Sequence, residues 1–195
     1  MTFIIRLAPL DSQMAEVVRS WRNDWSVMRW CRQNDLISDW DQKRWFERQA
    51  SDPTIQMYAL ALSFENGKET LAGVAGFTSI DHFNRRAEFS LYLRPDLHGK
   101  GHGKAALRVL LAHGFDNLGF NVIWGECFAE NPAARMFESL GFVKEGTRRD
   151  FYWRDGRFID AHLYSLKRTD WIASQSPSQS AQTSPSSSSP ESAAL

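Results

Sequence analysis

The segment Arg86 to Leu93, RAEFSLYL, alternates without a break. Ala87, Phe89, Leu91 and Leu93 fall on one face of an extended chain, and Glu88, Ser90 and Tyr92 fall on the other. This predicts a strand with one face against a core and a carboxylate on the opposite face. From about Gly101 to Leu118 the period changes: Ala106, Leu107, Leu110, Leu111, Gly114, Phe115 and Leu118 recur along one helical stripe. Asn121 to Phe128 reads as a strand again. A helix between two such strands makes them parallel neighbours.

The rest of the chain follows the same two periods. Phe3 to Leu7 predicts a short strand, and Asp11 to Asn23 a helix with Asp11 as its N-cap. Ser38 and Asp41 have capping-box spacing and open a second helix that runs to about Ala50. Strands near Gln56–Phe64 and Thr70–Ile80 flank the turn Glu65-Asn66-Gly67-Lys68, a hairpin signal. Pro132 to Leu140 predicts a short helix. Strands near Phe142–Trp153 and Arg157–Lys167 are joined at Arg154-Asp155-Gly156. The predicted order is β-αα-βββ-α-β-α-ββ, an α/β (α+β) domain whose mixed, mostly antiparallel sheet has about six or seven strands flanked by helices. The domain is expected to span residues 1–171. Residues 172–195 are dominated by Ser, Pro, Gln and Ala, with one acidic and no basic side chain, and are predicted to be a disordered tail.

Composition narrows the function classes. The 23 basic and 23 acidic side chains cancel, which gives no electrostatic drive toward nucleic acid or an anionic membrane. No stretch approaches the roughly 20 apolar residues of a membrane span, and the N-terminal apolar run is too short for a signal peptide. Cys31 and Cys127 have neither metal spacing nor the pattern of a disulfide framework. A soluble, cytoplasmic, metal-free protein is expected.

The segment richest in chemistry is Leu97-His98-Gly99-Lys100-Gly101-His102-Gly103-Lys104, between a predicted strand and a predicted helix. Alternating glycines let backbone approach a ligand closely. Unsatisfied N–H groups at the helix start, with the helix dipole behind them, favour a phosphate or pyrophosphate. Lys100, Lys104 and Arg108 add cations nearby. A Walker A loop is excluded, because Gly99 and Gly103 enclose three residues instead of four and Ala105 follows Lys104. The dinucleotide fingerprint is excluded because the third glycine comes one residue early.

RAEFSLYLRP, HGKGHGK and ENPAARMFESLGF, in that order, resemble the conserved blocks of the GNAT superfamily of acyl-CoA N-acyltransferases, particularly its RimJ/RimL-like branch. The likeness runs from Phe3 to Trp171 and is strongest from Glu88 to Phe142. His98 stands where Gln or Arg is usual, and Asn131 lies ten residues before Gly141 where eleven is usual. The resemblance implies acetyl-CoA as cosubstrate, its pyrophosphate on the backbone of His98, Gly99, Lys100, Gly101, His102, Gly103 and Lys104. It also implies that the strand splays from its neighbour, so that Leu91, Tyr92 and Leu93 offer main-chain groups to the acyl-pantetheine arm. Asn131 resembles a cofactor-contacting asparagine, and it also reads as a helix cap before Pro132. Phe137 stands where many relatives carry a tyrosine that protonates the departing thiolate, which leaves Tyr92, Tyr152 or Ser90, or unassisted departure.

Acyl transfer to an amine needs a base, an oxyanion donor and a leaving thiolate. Glu88 and Glu126 both resemble base positions of relatives, and Glu88 is favoured. The acceptor site is expected between the N-terminal helices and the last hairpin. Of Trp21, Trp25, Trp30, Trp40 and Trp45, most should pack in the core and one or two should wall that site. Asp24, Asp35, Asp39 and Asp41 read as cap or loop residues that could also attract a cationic amine. The expected acceptor is an amine of a small molecule, amino sugar or protein, used by a monomer or homodimer. The alternative is a catalytically silent acyl-CoA-binding protein.

Overall fold

The computed structural model describes residues 2–175 other than Asn34 and Asn66. Its seven-stranded sheet has the order β1-β2-β3-β4-β5-β7-β6. The strands are β1 (Phe3–Ala8), β2 (Gln56–Phe64), β3 (Glu69–Asp81), β4 (Arg86–Leu93), β5 (Val122–Phe128), β6 (Val143–Arg154) and β7 (Arg157–Lys167). The helices are α1 (Ala15–Arg22), α2 (Trp25–Met28), α3 (Asp39–Ser51), α4 (His102–Ala112), α5 (Ala133–Ser139) and α6 (Arg168–Gln175). Every neighbouring pair is antiparallel except β4 and β5, as the intervening helix requires.

The predicted order stands with two additions, α2 and α6. A third difference lies at Asp11, whose side chain caps nothing. A 3-10 turn over Ser12–Met14 comes first, and α1 begins at Ala15. At α3 the predicted capping box is present: Ser38 Oγ accepts from the Asp41 amide at 3.2 Å, and the Asp41 carboxylate accepts from the Ser38 amide at 3.3 Å. Helix α4 ends at Ala112 and passes into a π-helical turn, His113–Asn117. Helix α6 carries the chain past the expected boundary at Trp171 to Gln175, anchored by the Trp171 ring stacked on Phe115 at 5.8 Å. The rest of the expected tail, 176–195, and Asn66 of the first hairpin lie outside the described residues.

The sheet is covered on both faces. Leu107, Leu110 and Leu111 of α4 are fully buried against Leu60, Leu62, Phe77 and Ile123, each worth about 1.5–3 kcal/mol of transfer free energy. On the other face Val18 of α1 meets Phe46 of α3 and Val74 of β3, with Trp21, Trp45 and Tyr92 around them. Trp21 and Trp45 thus pack as expected, whereas Trp25 and Trp40 are exposed. Among the described residues no helix is long and apolar enough to cross a membrane.

The feature that makes a site is a short parallel pairing. Strands β4 and β5 are in register only from Arg86↔Val122 to Glu88↔Trp124. Beyond that point the Phe89 ring lies against Gly125, where a Cβ would come within 2.3 Å of a ring carbon. The ring cannot retreat, because Phe137 and Phe142 hold it at 5.2 and 5.3 Å. Gly125→Ala is therefore expected to cost about 1–3 kcal/mol by overpacking, lowering the melting temperature by about 2–4 °C per kcal/mol. An unchanged thermal melt would contradict the close approach.

Candidate active site

Backbone phase along β4 decides what faces the gap. The Arg94 amide donates to Ala72 O at 2.9 Å, on the β3 side, and Arg85 O accepts from the Asn121 amide at 2.6 Å, on the β5 side. Alternation then turns the N–H and C=O groups of Phe89, Leu91 and Leu93 away from β3. With β5 diverging after Trp124, these groups open into the gap. The His98 ring confirms the phase by reaching Leu93 O at 3.1 Å. The gap widens into a cavity of about 700 Å³, walled among others by Glu88, Leu91, Tyr92, Leu93, Glu126 and Asn131.

One part of the wall is the glycine-rich loop. Gly99 and Gly101 have φ of 71° and 84°, and Gly101 is the N-cap of α4 in the left-handed region. The first closing bond is Ala105 N–H to Gly101 O at 3.3 Å, so the amides of His102, Gly103 and Lys104 lack an intrahelical acceptor. Gly99 and Gly103 reach the cavity wall. His98 reaches it too, whereas the side chains of Lys100, His102 and Lys104 do not: the His102 ring is buried on Phe3 at 4.4 Å, and its Nδ1 lies 3.3 Å from Leu97 O. The Lys100 ammonium donates to Asp96 O at 2.7 Å, and Lys104 is exposed. Backbone, with few side chains, makes this cradle. The residues fit a pyrophosphate on that ground.

Across the gap, Asn131 Oδ1 accepts from the Ala133 amide at 2.9 Å at the start of α5, and the residue also walls the cavity. Phe137 is buried, edge-on to Phe89 and Tyr164 at 5.2 and 5.6 Å, and its ring closes one side of the cavity.

The two glutamates share one sheet face and one cavity. Glu88 is 5% exposed and pairs with Arg32, Nη2 to Oε1, at 2.6 Å. Burial pushes its carboxyl above the usual range. Arg32 opposes that push, and the negative Glu126 adds to it. Glu126 is held by Arg148 at 2.6 Å and accepts a short hydrogen bond from the Tyr152 hydroxyl. Tyr92 also walls the cavity, and burial pushes its hydroxyl pKa strongly upward, so the proton stays on. Ser90 lies on the wall as well.

The arginines are what sequence reasoning missed. Arg32 lies between α2 and α3 in the chain. Arg154 straps that segment by donating to the carbonyls of Cys31 and, in a shorter contact, Arg32, while Asn23 clasps Ile37 in both directions at 2.8 and 2.9 Å. Arg22 also walls the cavity and donates to Cys31 Sγ at 2.6 Å. No local spacing reveals these contacts, because they join residues far apart in the chain. Of Trp21, Trp25, Trp30, Trp40 and Trp45, Trp30 is on the wall. The acids are not on it: Asp24 caps α2 through Ser26, Asp41 caps α3, Asp39 pairs with Arg19 at 3.2 Å, and Asp35 is exposed. Among the described residues no three His, Cys, Asp or Glu side chains gather into a metal-binding group.

Comparison with known proteins agrees with this geometry. An uncharacterised N-acetyltransferase, p20, of Bacillus licheniformis is 37% identical over 107 residues, covering 53% of this chain and 60% of that protein. A putative ribosomal N-acetyltransferase, YdaF, of Bacillus subtilis is 31% identical over 103 residues, covering 52% and 56%. The chain thus spans little more than half the length of these relatives. Among solved structures, spermidine N-acetyltransferase of Vibrio cholerae, in complex with CoA and spermine, superposes with a TM-score of 0.78 at 20% identity. That match covers 86% of this chain and 98% of that one, a likeness of fold. The Acetyltransferase (GNAT) domain family matches residues 5–143, well over half of the sequence and including both the splayed strand pair and the glycine loop, so the chain belongs to the GNAT acetyltransferases.

Proposed function

We propose that this protein is an acetyl-CoA-dependent N-acetyltransferase that passes an acetyl group directly to a primary amine in a ternary complex. One observation carries the reading. A single cavity joins outward-facing backbone groups of a splayed strand, an N–H cradle at a helix start, and two buried carboxylates. Bound acetyl-CoA supplies a thioester carbonyl open to attack. The amides of Gly99 to Lys104 hold its pyrophosphate, and Leu91 and Leu93 offer N–H groups to its acyl-pantetheine oxygens.

Glu88 takes the amine proton, directly or through water. Its raised pKa brings it nearer the working pH, as suits a base. Glu126, already engaged by Arg148 and Tyr152, acts as a second negative charge that keeps the Glu88 pKa up. Tyr92 and Ser90 are placed to return a proton to the thiolate; Tyr152 sits behind Glu126. We further place the chain in the RimJ/RimL-like branch, on the strand glutamate Glu88 and the likeness to YdaF.

Arg32→Met tests the base through pH. Arg32 lowers the Glu88 pKa, so its removal should raise that pKa further. A base works only when ionised, and the acidic limb of the kcat profile is therefore expected to move to higher pH. A limb that stays put or moves down would exclude Glu88.

A second reading, a silent acyl-CoA binder, draws on Phe137, which offers no hydroxyl. Thiol release from acetyl-CoA, measured across a panel of amines, amino sugars and peptides, separates the two. Amine-dependent release supports the enzyme. Binding of acetyl-CoA without release for any amine supports the binder.

A further inference from the structure

Four charged side chains wall the cavity, Arg22, Arg32, Glu88 and Glu126, and among the described residues Arg22 alone of them has no ion-pair partner, because Arg148 from outside the wall takes Glu126. Glu88 and Glu126 are each already paired, with Arg32 and Arg148, at 2.6 Å. Arg22 walls the same cavity, half-buried, yet among the described residues no carboxylate lies within ion-pair distance of it. The groups it is seen to contact are neutral. It donates to the Cys31 thiol, which burial keeps protonated, and its guanidinium lies 5.4 Å from the centre of the Tyr92 ring. The nearest acid in sequence, Asp24, is spent on the Ser26 amide and hydroxyl at 2.8 and 2.6 Å and is not on the wall.

A guanidinium drawn partly out of water without a counter-charge is costly unless a ligand supplies the anion. Its planar fork suits a carboxylate. A polycation would meet the opposite situation: both wall carboxylates neutralised, and one arginine repelling it. Size sets a further bound, since about 700 Å³ must take the pantetheine arm and the acceptor together.

Building on the acetyltransferase reading, we infer that the acceptor is a small amine that also carries a carboxylate, and that Arg22 receives that carboxylate while the amine lies toward Glu88. Arg22 is then a specificity-determining residue, absent from the motifs that mark the family in this sequence. The reaction balances as before: an N–C bond forms, the C–S bond breaks, and the amine proton leaves through Glu88 while the carboxylate is unchanged.

Matched acceptors give the test: L-phenylalanine against phenethylamine, L-leucine against isoamylamine, and spermidine as a polycation. Acetyl-CoA affinity is measured separately by calorimetry. The expected kcat/KM is about tenfold or more higher for each acid than for its decarboxylated amine, with spermidine poorer than the acids. Arg22→Gln should reduce the acid-to-amine ratio by about tenfold and shift the acetyl-CoA Kd by less than twofold. Arg22→Lys should keep part of the ratio.

Several results overturn the inference. One is spermidine as the better acceptor, and another is equal rates within the matched pairs. A third is binding of acetyl-CoA with neither acid acetylated. A fourth is an Arg22→Gln variant that loses acetyl-CoA affinity and keeps the ratio, which would assign Arg22 to a cofactor phosphate. If the variants fail to fold, the wild-type pairs still decide. Failure of acetyl-CoA to bind at all strikes the parent reading instead, and the two failures are thereby told apart.

Discussion

Glu88→Gln is expected to lower kcat by a factor of about 10²–10⁴, the usual contribution of a positioned general base, with the acetyl-CoA Kd little changed. The substitution keeps the size of the side chain and removes its ability to take a proton. Glu88 lies at the last register of the β4–β5 pairing, where the two strands begin to part, so its carboxylate sits at the closed end of the slot. It is the buried charged side chain of the cavity whose pKa is raised, chiefly by loss of water. The neutral amide leaves Arg32 without its partner, and some loss of stability accompanies the loss of rate. Single-turnover kinetics with saturating acetyl-CoA separate the two effects, and a kcat within threefold of wild type excludes Glu88 as the base.

The second large effect is expected at the cradle. Gly101 holds φ of 84° as the N-cap of α4, and space is open where its Cβ would be. The objection to a side chain is therefore conformational and not steric crowding from neighbours. A left-handed backbone costs an ordinary L-residue about 1–2 kcal/mol, and a β-branched one is worse placed still. Gly101→Val should relieve that strain by rotating the turn, which re-aims the amides of His102, Gly103 and Lys104. The acetyl-CoA Kd is expected to rise by about 10–100-fold, at 1.4 kcal/mol per tenfold. Calorimetry on the folded variant checks this, and an unchanged Kd would mean that the cradle holds no phosphate.

Legibility in the sequence divided along the range of the forces involved. Strand β4 was readable to the residue, because a strict two-residue period over Arg86–Leu93 leaves no other register. The capping box at Ser38 and the glycine turn before α4 were readable for the same reason: each is fixed by neighbours within a few positions. Helix α2 was not, because four residues cannot display a helical period. Asp11 looked like a cap, but it precedes a 3-10 turn and its side chain makes no cap hydrogen bond.

In the site, the carboxylates were legible as strand residues and their partners were not. Arg148 reaches Glu126 across 22 positions, and Arg154 reaches the Arg32 carbonyl across 122. Such pairs are chosen by the sheet order β5-β7-β6 and by a strapped loop, which no local pattern encodes. Phe89 against Gly125 is similar: each residue is ordinary alone, and their approach sets where the slot begins.

Amide NMR of the ¹⁵N-labelled protein during acetyl-CoA titration tests the central claim most directly. The largest shifts are expected at Leu91, Leu93 and the Gly99 to Lys104 amides, with the Asp155 turn between β6 and β7 unmoved. Saturation with the largest shifts elsewhere, or a spectrum that does not respond, would contradict it.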